Sequence, residues 1–353
     1  MKQCLAGLTR AELREWAAAN GEAAFRGSQI ADWMYRRFQP DPDEMNNLPA
    51  GTRRKLAEAF HAPCVQMLQS DCAADGTEKL LVGLTDGEAV EMVLIPGGDD
   101  EEKQRLTFCL STQVGCPVGC LFCASGRNGL IRNLKAGEMV GQFLLGCRRA
   151  GRRPDNLVFM GIGEGLFNFE ELSKALQILS GQEEFAMSPR RITVSTSGFV
   201  PGMQKFAALE KEFTLAISLH AADDETRSKI IPDKLRYPIA EIMDAADLYL
   251  EKAGRMVTFE YTLLEGINDR QEDAAKLAKL AIAHHAKVNL IPYNSTGGEF
   301  RRPAKEVIRH FRDILHNAGA HVTIRQERGA KSSAACGQLR LRSKAVPALT
   351  GKE

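Results

Sequence analysis

The sequence predicts an α/β fold: a parallel sheet curved or closed into a partial (βα)6 barrel, with a small N-terminal helical domain and a β-hairpin extension. Three observations carry that expectation. From about residue 105, short apolar strand patterns alternate with amphipathic helical ones. Just before them, two alternating runs flank the turn dipeptide Asp86-Gly87. Residues 1–62 show only helical periodicity and helix caps.

Thr9 followed by Glu12 reads as a capping box, with Leu8 and Leu13 placed as a hydrophobic staple. A short helix then carries Leu13 and Trp16. "RGSQIADWMYRRF" repeats the pattern through Ile30, Trp33, Met34 and Phe38, "PDPDEMNNLP" breaks it, and "AGTRRKLAEAFH" resumes it. This segment serves packing or RNA contact equally well. In "EKLLVGLTDGEAVEMVLIP", Val90, Met92 and Leu94 share one face of the second strand, and Glu91 shares the other with Val93 and Ile95. Periodicity alone makes Glu91 a solvent-facing strand residue. The strands expected next are "LTFCLS", "NLVFMG", "RITVST", "FTLAIS", "MVTFEYTLL" and "KVNLIPY", with "HVTIRQ" following. Chemistry in such folds gathers at the C-terminal ends of the strands, where the polar and glycine-rich clusters fall. The expected domains are 1–62 (helical, RNA-binding), 63–104 (hairpin extension and linker), 105–342 (barrel and cysteine loop) and a tail at 343–353.

At 353 residues the chain can bury a large core, and its 44% hydrophobic and 26% charged content is ordinary. A net charge of +1 neither supports nor excludes a nucleic-acid partner. No apolar run is long enough to span a bilayer, and the N-terminus lacks a signal-peptide core, so a cytoplasmic protein is expected. In a reducing compartment, nine cysteines point to ligands or catalysts rather than structural disulfides.

Cys116, Cys120 and Cys123 form a C-x3-C-x2-C run directly after the first barrel strand. Structural zinc normally takes four protein ligands, and no fourth lies at zinc-finger spacing. A [4Fe–4S] cube normally takes four thiolates, so three would leave one iron open, as an active site requires. Zinc completed by a distant residue stays open as an alternative.

"CPVGCLFC" resembles the signature of radical S-adenosylmethionine (SAM) enzymes, in which the open iron chelates SAM and one-electron reduction yields a 5′-deoxyadenosyl radical. The ordered segments "CLSTQVGCPVGCLFC", "MGIGEGLFN", "ITVSTSGFVPG", "LAISLHAADDETRSKIIP", "NLIPYN" and "AACGQL" are together similar to the RlmN/Cfr family of radical SAM RNA methyltransferases. "FRGSQIADWMYRRF", "DEMNNLP" and the hairpin extend the likeness to nearly the whole chain.

The resemblance implies a (βα)6 radical SAM barrel and assigns roles by position. Cys116, Cys120 and Cys123 hold the cluster. Gly163, Glu164, Ser195, Ser218, Leu219, His220 and Asn294 bind SAM, two molecules of which are used per turnover. Cys336 becomes S-methylcysteine, Cys109 resolves it through a transient Cys109–Cys336 disulfide, and Glu91 becomes the proton acceptor, against its periodicity. Gly165 stands where the family usually has proline, which is expected to loosen that loop. The implied substrate is an adenine of 23S rRNA at carbon 2, with an adenine in tRNA as a second target of some members; the Cfr branch modifies carbon 8. An electron donor such as flavodoxin or ferredoxin and a monomeric state are also implied. Phosphate contacts are expected from Arg26, Arg36, Arg37, Arg53 and Arg54, from "CRRAGRR" at 147–153 and from "FRRPAK" at 300–305. A radical SAM enzyme acting on a peptide or small molecule remains a competing reading, as does a zinc-stabilised RNA-binding module.

Overall fold

Helix-forming segments at the N-terminus close on themselves before the barrel begins. The computed structural model describes residues 2–97, 105–325 and 337–339. Helices α1 (Arg10–Ala19), α2 (Ala24–Tyr35) and α3 (Ala50–Ala59) are bracketed by strands β1 (Gln3–Cys4) and β2 (Phe60–His61), which pair in parallel. The capping box forms as expected: Thr9 Oγ1 accepts from the Glu12 amide at 3.3 Å, and Glu12 Oε2 accepts from the Thr9 amide at 2.7 Å. Leu8 and Leu13 are both buried. The helical pattern through Phe38 is corrected. α2 stops at Tyr35, Phe38 turns left-handed at φ 56°, and the Gln39 amide bonds back to the Trp33 carbonyl at 2.9 Å. Pro40 forbids continuation.

The barrel is one end of a ten-stranded sheet. Strands β6 (Arg105–Cys109), β9 (Asn156–Phe159), β10 (Ile192–Thr196), β11 (Thr214–Ser218), β12 (Thr258–Leu263), β13 (Lys287–Pro292) and β14 (His321–Ile324) run parallel in that order. The hairpin of β4 (Glu78–Leu84) and β5 (Ala89–Gly97) turns at Asp86-Gly87 and joins antiparallel to the β6 edge. A further edge strand, β3 (Val65–Cys72), was not expected. It is largely polar, and a bulge between Met67 and Gln69 breaks its alternation. The bulge also blunts the exposed edge.

Helices α4 (Ala136–Ala150), α5 (Phe169–Ser180), α6 (Val200–Ala207), α7 (Asp224–Ser228), α8 (Ile239–Ala253), α9 (Gln271–Ala283) and α10 (Lys305–Asn317) follow the strands. Alternate strand residues such as Phe108, Leu157, Val194, Ile217, Phe259 and Leu290 join the helices in one apolar core. That core is continuous with the N-terminal helices through Leu13, Ile30 and Leu56. The junction is close: a Cβ on Gly137 of α4 would lie 2.3 Å from Cys4 Cβ. Strand residues of the opposite parity face the inside of the barrel.

Candidate active site

Between β7 (Gln113–Gly115) and β8 (Leu130–Asn133), an antiparallel pair, the chain makes the thiol loop. Gly115 is required at its base. It takes φ 79°, and a Cβ there would lie 2.0 Å from the Gly129 carbonyl oxygen. The Cys116 amide donates to Gly129 at 3.0 Å, and the Leu121 amide donates to Ile230 at 3.0 Å. The end of the loop is pinned by the segment 337–339: the Ala124 amide donates to Gly337 at 2.8 Å and Ser125 Oγ to Leu339 at 2.6 Å. Phe122, between the second and third cysteines, packs edge-on against His220 with ring centroids 4.9 Å apart.

Cys116, Cys120 and Cys123 lie on the wall of a cleft at the C-terminal strand ends. Burial pushes the Cys116 thiol up to about 12 and the Cys120 thiol well above its ordinary value. Neutral thiols are favoured there until a cation arrives, so the donor set suits a cationic, thiophilic group. Among the described residues no three His, Cys, Asp or Glu side chains are placed to chelate a single metal ion. A cube takes one thiolate per iron, and three cysteines of one loop on the wall of one cleft are the donor set that leaves one iron open.

Gly163 and Glu164 lie across the cleft. Gly163 adopts φ 116°, and a Cβ would come within 2.7 Å of both Gln113 Cβ and Thr112 Oγ1. Glu164 is buried, and its carboxylate accepts from the Ser197 amide at 2.6 Å and the Leu166 amide at 3.3 Å. Burial outweighs these donors and holds its pKa above the ordinary carboxylate value. A ligand ammonium would restore the ionised form. Gly165 is buried and opens a short 3-10 turn capped by Glu164.

Ser195 and Ser218 face each other with hydroxyls 3.4 Å apart. His220 is held at φ 56° while its Nδ1 accepts the Thr262 amide at 3.0 Å and its carbonyl accepts from Asn268 Nδ2 at 2.7 Å. Burial, aided by the Arg227 charge, lowers its pKa to about 3, so the ring is neutral and its Nε2 carries the proton. Asn294 also lines the cleft. Leu219 does not: its side chain is in the apolar core, and its main chain serves the site, the carbonyl accepting from Arg227 Nε at 3.2 Å.

Glu91 is buried, not solvent-facing, and ion-paired with buried Lys79, Nζ to Oε1 3.2 Å. A hairpin on its own would expose that face; here it is the floor of the barrel's extension. Ser111 Oγ donates to the Glu91 carbonyl at 2.6 Å and accepts from the Ile162 amide at 2.9 Å, tying this strand to the turn before Gly163. Cys109 faces the same side, opposite Val93, in an apolar cluster with Ile162 and Leu339. Cys336 lies outside the described residues, as does the 343–353 tail; Gly337 lines the cleft. Sequence reasoning missed Glu260 and Thr262, which line the cleft from β12. Glu260 accepts from Asn289 Nδ2 at 2.8 Å, and burial raises its pKa. The signal was present, because "TFEYTL" alternates polar residues with Phe259 and Tyr261.

Comparison with known proteins agrees with this geometry. Residues 110–278 match the profile of the radical SAM superfamily, and residues 4–61 match that of the ribosomal RNA large subunit methyltransferase N-terminal domain. Fold and thiol loop therefore define a radical SAM enzyme whose cofactors are a [4Fe–4S] cluster and SAM. The chain is 43% identical over 338 residues to a probable dual-specificity RNA methyltransferase RlmN of Akkermansia muciniphila, covering 95% of this chain and 94% of the relative. It is 44% identical over 349 residues to a protein of the same description from Moorella thermoacetica, covering 97% and 98%. The crystal structure of a radical SAM methyltransferase from Sphaerobacter thermophilus superposes with a TM-score of 0.91 at 43% identity, over 96% of this chain and 99% of that one. The chain belongs to the RlmN family of radical SAM methyltransferases. Among its described residues no helix is long and apolar enough to cross a membrane.

Proposed function

We propose that this enzyme methylates carbon 2 of an adenine in 23S rRNA and accepts an adenine in tRNA as a second substrate. The relatives' description as dual-specificity RNA methyltransferases supports the substrate class. The observation that carries the residue assignment is Cys109 packed beside Leu339, three residues beyond Cys336, in a cluster that Met160 joins to the cleft.

When bound, the cluster and SAM supply a 5′-deoxyadenosyl radical. Cys116, Cys120 and Cys123 hold the cluster, and Glu164 receives the SAM ammonium at the end of the Gly163 turn. Ser195, Ser218, His220 and Asn294 line the remaining wall, and Leu219 contributes main chain. Cys336 first takes a methyl group by displacement from one SAM. With the cluster and a second SAM bound, the Cys336 methyl group would lose a hydrogen atom to the radical they supply, and the Cys336 methylene would then add to the adenine ring carbon. Carbon 2 of adenine is a poor nucleophile, which makes radical addition the suitable chemistry. The adduct would return one electron to the oxidised cluster, and Glu91 would take the ring proton. The Cys109 thiolate then attacks Cys336 sulfur, breaking the carbon–sulfur bond; the released carbon takes a proton and the disulfide is reduced afterwards. Lys79, ion-paired to Glu91 at 3.2 Å, holds that carboxylate in place.

The target base must be extruded or single-stranded to reach this cleft. Exposed Arg36 and Arg54 and the loop at 300–305 are the phosphate contacts in this reading. An electron carrier such as flavodoxin or ferredoxin reduces the cluster, and the enzyme acts as a monomer. The division into 1–62, 63–104 and 105–342 is our functional partition. Nucleoside mass spectrometry of rRNA and tRNA from cells lacking the protein, with and without complementation, tests the reading. 2-Methyladenosine that disappears and returns supports it, 8-methyladenosine moves the chemistry to the other carbon, and unchanged RNA overturns it.

A further inference from the structure

Arg227, in α7, is completely buried, yet no carboxylate among the described residues forms an ion pair with it. Its guanidinium donates to three neutral carbonyls: Nε to Leu219 at 3.2 Å, Nη1 to Tyr237 at 2.9 Å and Nη2 to Ser197. Leu219 follows β11, and Ser197 follows β10. One side chain thus bolts together the two turns that bring Ser195, Ser218 and His220 to the cleft. Gly198, at φ 94°, leaves out a side chain whose Cβ would meet Ile242 Cδ1 at 2.5 Å, so the turn after Ser197 lies close over this region.

Carbonyls satisfy the N–H groups but leave a net positive charge in a low-dielectric interior, which is costly without an anion. Burial lowers the Arg227 pKa to about 10, with Arg236 adding to that and Cys120 and Asp224 opposing it. Ile230 and Ile231, on the turn that Arg227 begins, pack against Cys116, Cys120 and Cys123, and the Ile230 carbonyl anchors the thiol loop at the Leu121 amide. A cube of charge plus two held by three thiolates carries net charge minus one, and one added electron makes it minus two. Net charge and neighbouring charge are among the levers that set such potentials.

We propose that Arg227 is a positioning residue that serves as counter-ion to the anionic cluster, raising its reduction potential, while its three-carbonyl fork fixes the SAM-lining turns. The charge therefore favours the singly reduced cluster, the state that cleaves SAM. The fork couples cluster electronics to cofactor geometry through a single group. This inference depends on the cluster site and is independent of which RNA is modified.

The test uses full-length protein, reconstituted anaerobically with iron and sulfide, as wild type, Arg227→Gln and Arg227→Lys. Iron content, the midpoint potential by titration with dithionite monitored by electron paramagnetic resonance, and SAM affinity are measured without RNA. Arg227→Gln should hold its cluster but show about a tenfold lower reduced-to-oxidised ratio at a fixed potential, equivalent to about 59 mV for one electron. Arg227→Lys should stay within about threefold of wild type in that ratio, and both variants should bind SAM more weakly. A loaded Arg227→Gln protein with the wild-type potential overturns the proposal, as does an Arg227→Lys protein displaced as far as Arg227→Gln. If Arg227→Gln takes up no iron, Arg227→Lys decides: near-wild-type potential upholds the proposal, and failure to load reduces Arg227 to a folding role and overturns it.

Discussion

The two faces of the barrel sheet are built from the same strands to opposite specifications. On the outer face Val194, Leu215, Ile217, Phe259 and Leu290 pack against helices without interruption. On the inner face, Ser195, Ser218, Glu260 and Thr262 occupy the intervening positions and line the cleft. Period-two geometry lets one strand do both, because successive side chains point to opposite sides. The outer face supplies stability through burial, while the inner face presents polar groups whose desolvation is tolerable only when a ligand meets them. Changes on the outer face should therefore unfold the protein, and changes on the inner face should empty the cleft.

The largest separation should come from Cys120→Ala. It should abolish iron loading and activity, while thermal unfolding of the apoprotein stays close to wild type. A collapse of the apoprotein would merge the two faces into one structural unit. Leu215→Ala breaks the comparison from the other side: a fully buried leucine should cost about 2–5 kcal/mol in denaturant unfolding, with SAM affinity kept in the fraction that folds.

Glu164→Gln should weaken SAM binding by about 10–100-fold, the worth of a charge-assisted hydrogen bond. Its pH dependence sharpens the point. Burial holds the free carboxyl above its ordinary value, and the SAM ammonium prefers the ionised form. Wild-type affinity should thus fall as pH is lowered from 7 towards 5, and calorimetry should find the slope flattened in Glu164→Gln. The sign for stability is the reverse: the folded apoprotein holds this proton more tightly than the unfolded chain, so Glu164 favours folding at acid pH and loses that contribution as pH rises. His220, with its pKa near 3, does not titrate in this window. The smallest effect should be Thr9→Ala, far from both faces, at about 1 kcal/mol for the lost cap with unchanged SAM affinity.

The fold was legible because its signals are local. Alternating strands and amphipathic helices, the Asp86-Gly87 turn and the Thr9 cap each depend on residues close in sequence. β3 escaped because its bulge and polar edge erase the alternation that marks a strand. The thiol loop was legible for a related reason: three cysteines within one short loop need no distant partner to be recognised.

By itself the sequence determined the parallel α/β core and the thiol loop and, through ordered resemblance, singled out residues from Gly163 to Asn294 that line the cleft. Only the tertiary structure decided the sidedness of that wall. It turned Leu219 into the core, covered Glu91 and paired it with Lys79, and set Cys109 beside Leu339. It also placed Arg227 under the two cofactor turns. Each depends on which strands become neighbours in the sheet. Burial, and with it the state of every buried charge, is a property of those neighbours rather than of the residue.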